Sequence, residues 1–330
     1  MGGAVSWKPT GPHADAGAAD AAVEAAGAEV FIAAARRAAR HLPDEVLDAL
    51  AQFQQQPPRD GALLVRAMPV GALPATPSDP SETVSKDGTS ELSLLSIACG
   101  LGEPVGYLPE HGGDVVQNLV PTIAGADRQV STSSKVDLAF HTETAFHPHA
   151  PQYLVLLCLR GDPDARTTLC SVHDVLDALD PATIAVLRQP RFVCGVDESF
   201  LDGTLVLDPT ATPERDAARA LGERGPLPVI GGTESRPTLW FDAELMRGTD
   251  PAAQAALDQL ARAVLDRQGA VVLESGDCLI VDNTVAVHGR SSYAARFDGT
   301  DRWLQRAFVV SDLAPSAADR DGRIIGTLFR

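Results

Sequence analysis

The chain has 330 residues, 45% of them hydrophobic, which is enough apolar material for a full core and excludes global disorder. It carries 27 Lys and Arg against 44 Asp and Glu, a formal charge of −17, which argues against a nucleic-acid partner and against docking on an anionic membrane, since both need a basic footprint. The five cysteines share no CxxC spacing and read as reduced thiols; with no membrane-length apolar run and no basic-then-apolar leader, a cytoplasmic location is expected.

Residues 1–20 are mostly Gly, Ala, Pro and Asp without periodicity and are expected to be disordered. Residues 21–53 read as helical, with Pro43-Asp44-Glu45 opening a second helix. The apolar run 62–66 reads as a strand, the proline-rich stretch 69–80 as a surface loop, and 91–101 as a helix ended at Gly100. β-type runs then follow one another at 115–120, 137–140, 153–160, 167–172, 191–196, 238–241, 270–273, 278–282 and 303–310. Helices interrupt them at 172–187 and 250–268. Regular βαβ alternation is missing, which argues against a Rossmann sheet. The pattern predicts a mainly β fold with flanking helices, a sandwich or a jelly roll on a helical N-terminal support. One domain is expected over 21–330. Its stretch 201–236, rich in Pro, Gly and charge, is too long for an ordinary connection and reads as a lid or binding loop.

Two histidines have telling surroundings. His141 and Glu143 stand two apart at the end of a β-type run, and residues i and i+2 of a strand share a face. His288 follows the apolar run 278–282 through a turn. Two His and one carboxylate are the ligand set of non-haem Fe(II) oxygenases, which leaves one face of the metal open for co-substrate and O₂. His-x-Glu alone is weak, and a hydrogen-bonded core histidine is the ordinary alternative. Arg302 strengthens the reading: an Arg opening the apolar strand 303–310 needs an anionic partner. A dicarboxylate such as 2-oxoglutarate would supply one, and a structural ion pair is the alternative. Thr167 and Thr168 are neighbouring hydroxyls for the same carboxylate, and Thr168 is the candidate carried forward. His147 and His149, separated by Pro148, read as turn residues rather than ligands.

The stretch 141–148 followed by 153–163 resembles the clavaminate synthase-like branch of the Fe(II)/2-oxoglutarate oxygenases. So do Leu101-Gly102-Glu103-Pro104, Val116-Gln117-Asn118 and Asp282-Asn283 through Val287-His288-Gly289-Arg290. The likeness is densest over residues 95–310. It implies a double-stranded β-helix, a cupin-like jelly roll. It also implies His141, Glu143 and His288 as iron ligands and Arg302 as partner of the distal carboxylate of 2-oxoglutarate. Glu143 in the carboxylate position speaks against a halogenating variant. Within the branch the resemblance is to hydroxylases of free lysine, arginine and asparagine. Val196-Asp197-Glu198-Ser199-Phe200 is similar to their lid motif, which places the lid insertion at about 197–236 and makes Asp197 and Ser199 substrate contacts. The segment 241–248 is similar to the one that supplies carboxylates to a cationic side chain, here Asp242 and Glu244. The resemblance further implies that Arg306 grips the substrate carboxylate and Glu110 its amine, with Ser131 on the substrate side. Each acid has the plainer reading of a solvated surface residue. The expected activity is hydroxylation of a free basic amino acid, lysine before arginine, giving succinate and CO₂. Asparagine, citrulline or a carrier-bound amino acid is the alternative substrate, and a non-catalytic cupin-type binding protein the alternative of another class.

Overall fold

The computed structural model describes residues 4–6, 20–197, 200 and 224–326. Strand β1 (Ala4–Ser6) lies inside the stretch expected to be disordered and runs parallel to β2 (Ala62–Arg66), Ala4 opposite Leu64. Helices α1 (Asp20–Ala39) and α2 (Asp44–Gln55) form the support. Helix α2 buries Val46, Leu50 and Phe53, the spacing of one helical face. Helix α3 (Thr89–Leu101) runs through Gly100, which packs against Leu50, and stops at Gly102 instead. A Cβ on Gly102 would stand 2.4 Å from the Val310 carbonyl oxygen, so close packing on a later strand places glycine there.

Strands β3 (Glu103–Tyr107), β4 (Gln117–Leu119), β5 (Leu138–His141), β6 (Tyr153–Arg160) and β7 (Arg166–Ser171) follow. The single helix expected over 172–187 is two, α4 (Val172–Ala178) and α5 (Pro181–Leu187). Asp180 splits them: its carboxylate accepts from the N–H groups of Ala182 and Thr183, and Pro181 occupies the first turn. After β8 (Phe192–Cys194), the described part of the expected lid is not one loop. It forms β9 (Arg224–Leu227) and β10 (Ile230–Gly232). Strand β9 pairs with β8, and β10 with β11 (Pro237–Leu239). Then come β12 (Met246–Gly248), α6 (Pro251–Arg267) capped by Asp250, β13 (Gly269–Val272), β14 (Cys278–Asp282), β15 (Ala286–Arg290), β16 (Trp303–Val310), β17 (Arg320–Asp321) and β18 (Ile324–Ile325).

Among the described residues the larger sheet runs β1-β2-β14-β6-β16-β3-β18-β17, with β4 also on β16. The smaller runs β13-β7-β15-β5. Their pairing gives the expected jelly roll. Strand β6 reads as an unbroken apolar run because both its faces are covered. Leu154, Leu156 and Cys158 pack between the sheets with Leu169, while Val155, Leu157 and Leu159 pack on the N-terminal helices. The same alternation on β16 turns Leu304 and Phe308 inward and Trp303, Ala307 and Val309 outward. That phase carries Arg302 and Arg306, of the inward parity, into the space between the sheets. No helix among the described residues is long and apolar enough to cross a membrane.

Candidate active site

His141 closes β5, and His288 stands opposite it on β15 in the antiparallel register. Their rings lie 4.4 Å apart, centroid to centroid. The Nδ1 of His141 sits 2.8 Å from the Ala139 carbonyl oxygen, which leaves Nε2 to face the cavity. Glu143 comes from the turn after β5, not from the strand, so strand alternation is not what joins it to His141. Thr144 takes a left-handed conformation (φ 49°), and the Asn283 side chain accepts from the Glu143 N–H at 2.7 Å. The chain reversal brings Glu143 Oε2 to 3.3 Å from His288 Nε2 and 3.9 Å from His141 Nε2. One ligand atom from each of the three residues lies within 4.8 Å of the others.

This donor set fits a divalent metal. Burial alone would raise the Glu143 carboxyl; Arg306 and the two histidines outweigh it and hold the group at about 2. Burial, then His141, lowers the His288 pKa, which keeps its imidazole neutral. Both groups therefore stand in the protonation state that a metal requires.

The triad opens into a cavity of about 420 Å³. Arg302, on its wall, is buried and forms no ion pair among the described residues; its neighbour is the Tyr293 ring, 5.9 Å away. Arg290 lines the same cavity, its guanidinium 5.0 Å from the centroid of the same Tyr293 ring. Its guanidinium donates to the Ser133 carbonyl, to Ser133 Oγ at 2.8 Å and to the Val136 carbonyl at 3.3 Å. Burial and the neighbouring Arg302 push the Arg290 pKa down to about 10. Two buried guanidinium groups with no direct ion pair to a carboxylate among the described residues suit an incoming carboxylate. Thr167 faces the cavity with a buried hydroxyl that has no partner among the described residues. Thr168, the residue carried forward from the sequence, lies on the opposite face of β7, against Gly289. A strand's phase decides between adjacent residues, and sequence alone did not supply it.

Arg306 is ion-paired with Glu110, donates from Nε to Gln117 Oε1 at 2.9 Å, and has Nη1 3.4 Å from Glu143 Oε1. Burial raises the Glu110 pKa to about 7 against the pull of Arg306, and its Oε2 is buried without a partner among the described residues. Asp242, Glu244, Asp197 and Ser131 also line the cavity. Asp242 is buried and its Oδ1 accepts from the N–H groups of Glu244 (2.9 Å) and Leu245 (2.7 Å); Glu244 is exposed. Ser199 lies outside the described residues. His147 packs edge-on against Tyr107, His149 pairs with Asp319 at 2.9 Å, and neither lines the cavity.

Residues 41–308 match the family described as taurine catabolism dioxygenase TauD, TfdA family. The chain belongs to this dioxygenase family. L-lysine 3-hydroxylase of Catenulispora acidiphila is 38% identical over 305 residues, spanning 91% of this chain and 81% of the relative. L-asparagine oxygenase of Streptomyces coelicolor is 36% identical over 306 residues, spanning 90% of this chain and 85% of the relative. A solved asparagine oxygenase in complex with Fe(II), 2S,3S-3-hydroxyasparagine and succinate superimposes with a TM-score of 0.83 at 34% identity, covering 98% of this chain and 99% of that one. The resemblance to clavaminate synthase-like amino-acid oxygenases is thereby borne out. In this dioxygenase, sequence reasoning assigned no role to Arg290 or Asn283. Arg290 had a signal: it stands two residues past His288 on one strand, hence on the same face. Asn283 had none beyond its place in the motif, because its partners are remote in the chain.

Proposed function

We propose that this dioxygenase hydroxylates an unactivated carbon of a free L-amino acid with a cationic side chain, L-lysine ahead of L-arginine. Its co-substrates are 2-oxoglutarate and O₂, and it releases succinate and CO₂. The observation that supports a cation is Asp242, a buried carboxylate on the cavity wall that no Lys or Arg neutralises among the described residues. A buried acid of this kind is costly until a cation joins it. Glu244 and Asp197 border the same space.

His141, Glu143 and His288 would hold Fe(II), which in company with 2-oxoglutarate and O₂ supplies the oxidation of the C–H bond. Arg302 receives the distal carboxylate of the co-substrate, with the Thr167 hydroxyl beside it. Arg306 orients the amino acid by its carboxylate, held for that purpose by Gln117, and Glu110 takes the ammonium on its unpartnered oxygen. The test is anaerobic loading with iron and 2-oxoglutarate, then O₂ and a panel of the twenty amino acids, reading succinate and the gain of one oxygen in mass. Hydroxylation of asparagine with lysine and arginine ignored would overturn the cationic substrate and leave the oxygenase standing.

Asp242→Asn keeps the Oδ1 that caps the turn and removes the charge. Hydrogen bonds to charged groups contribute about 1.5–3 kcal/mol, so kcat/KM for lysine should fall roughly 10- to 150-fold. Turnover of a neutral amino acid should fall less. A specific observation favours asparagine as the second reading: two backbone N–H groups already offset part of the Asp242 charge, and burial raises its pKa. A neutral amide would then suffice as its partner.

Glu110 sets a pH dependence. Its carboxyl titrates near 7 in the substrate-free protein, and only the ionised form attracts an ammonium. Binding is therefore complete in strength above about pH 7 and weakens as pH falls, by at most about tenfold per unit for one linked proton. Glu110→Gln should bind the amino acid more weakly at pH 8 and lose this slope between pH 6 and 8. A wild-type KM that is flat over that range would count against the assignment.

A further inference from the structure

We infer that Asn283 is a positioning residue for the metal centre, holding the backbone of the Glu143 turn so that the carboxylate meets His288. The inference rests on His141, Glu143 and His288 being the metal ligands. Glu143 lies beyond the end of β5, so no strand ladder fixes its backbone. The turn bonds within 142–147 are Ala145 N–H to the Thr142 carbonyl at 3.2 Å and His147 N–H to the Thr144 carbonyl at 2.8 Å; neither engages Glu143. The Asn283 carboxamide engages both sides of it. Oδ1 accepts from the Glu143 N–H at 2.7 Å, and Nδ2 donates to the Glu143 carbonyl at 3.1 Å. The second hydrogen of Nδ2 reaches the Pro151 carbonyl at 2.9 Å. The residue is fully buried, and its own N–H donates to the Gln152 carbonyl at 2.9 Å.

This arrangement admits no other side chain. Aspartate accepts from the Glu143 N–H but would face two carbonyl oxygens with no donor. Leucine has similar bulk and makes none of the three bonds. Glutamine is one methylene too long for a packed site. Asn283 also occupies the turn between β14 and β15, and β15 bears His288. One amide thus ties the segment carrying the carboxylate ligand to the hairpin carrying the distal histidine. Metal ligands need such fixed outer partners to hold their geometry.

The test uses the full-length metal-free protein and Co(II) as the probe, titrated by calorimetry and by visible ligand-field absorption. Wild-type protein is expected to bind one Co(II), and His288→Ala to bind far more weakly. Asn283→Asp and Asn283→Leu should weaken Co(II) binding about 10- to 100-fold, the usual cost of an outer partner, and alter the ligand-field spectrum. Thr284→Ala, which removes a hydroxyl bond to Asp282 in the same turn, should leave affinity and spectrum unchanged. Amide hydrogen exchange in the wild-type, metal-free protein gives a readout free of any substitution: the Glu143 N–H should be as protected as the β6 amides. Wild-type affinity and spectrum in folded Asn283→Asp would overturn the inference. So would equal weakening in Thr284→Ala, or rapid exchange at Glu143. Undiminished Co(II) binding by His288→Ala would overturn the metal reading and this inference with it.

Discussion

Alanine at His288 is expected to abolish succinate formation and strip the protein of iron. The imidazole is buried, and its Nε2 is 3.3 Å from the Glu143 carboxylate. Besides His141, His111 is the other histidine on the cavity wall, but its ring nitrogens are not among the ligand atoms gathered at the triad, so no third imidazole stands in place to replace it. Losing a ligand outright should exceed the roughly 10- to 100-fold drop in metal affinity that follows loss of an outer partner. His141→Ala should behave alike. Iron content after gel filtration and 2-oxoglutarate-dependent O₂ uptake at limiting iron are the measurements. Full activity of either variant under those conditions would remove the triad. The lowered pKa of both Glu143 and His288 adds a sign: each keeps its ligand form below the pH at which an ordinary carboxylate or imidazole takes a proton.

Arg302→Leu should separate function from stability. The arginine is buried and forms no ion pair with a carboxylate among the described residues; Tyr293 and the charge of Asp162 offset its desolvation only in part, and a bound carboxylate would relieve the rest. Truncating one partner of a buried, hydrogen-bonded charge pair costs about 2–5 kcal/mol, which is roughly a 30- to 4000-fold weaker hold on 2-oxoglutarate. The ligand-free variant should melt no lower than wild type, because replacing a buried charge that is only partly compensated by an apolar side chain is neutral or stabilising. Arg302→Lys keeps the charge without the fork and should fall between. Arg306→Lys should harm the amino acid before the co-substrate. Equal changes in both KM values in both lysine variants would dissolve the separate roles; a destabilised Arg302→Leu with native use of 2-oxoglutarate would refute the rest.

The parts of the fold legible in the sequence were those whose burial is complete. Residues 62–66, 153–160, 278–282 and 303–310 are strands over the expected bounds, because an apolar run covered on both faces cannot be a loop. Short strands drifted: the expected 115–120 is Gln117–Leu119, and 191–196 is Phe192–Cys194, where a few ladder bonds set the ends rather than composition. Asp180-Pro181 carried a readable helix start that the sequence analysis passed over.

Chemistry was legible wherever a residue type has few alternatives. Histidine is scarce in this chain, and His141, Glu143 and His288 were identified from type, spacing and family likeness before any contact was known. An arginine at the start of an apolar strand has to answer for its charge, which pointed to Arg302. What only the tertiary structure decided is which of several similar residues faces the cavity, and who meets whom across it. Thr167 rather than Thr168 faces inward because of the phase of β7. Asp242 and Glu244, alike in spacing, part into one buried capping carboxylate and one exposed acid because they sit on a turn. Glu110 meets Arg306, and Asn283 meets Glu143, across long stretches of chain. Local propensity carries no term for such pairs; they arise when the two sheets close on each other and leave buried polar groups to find their partners.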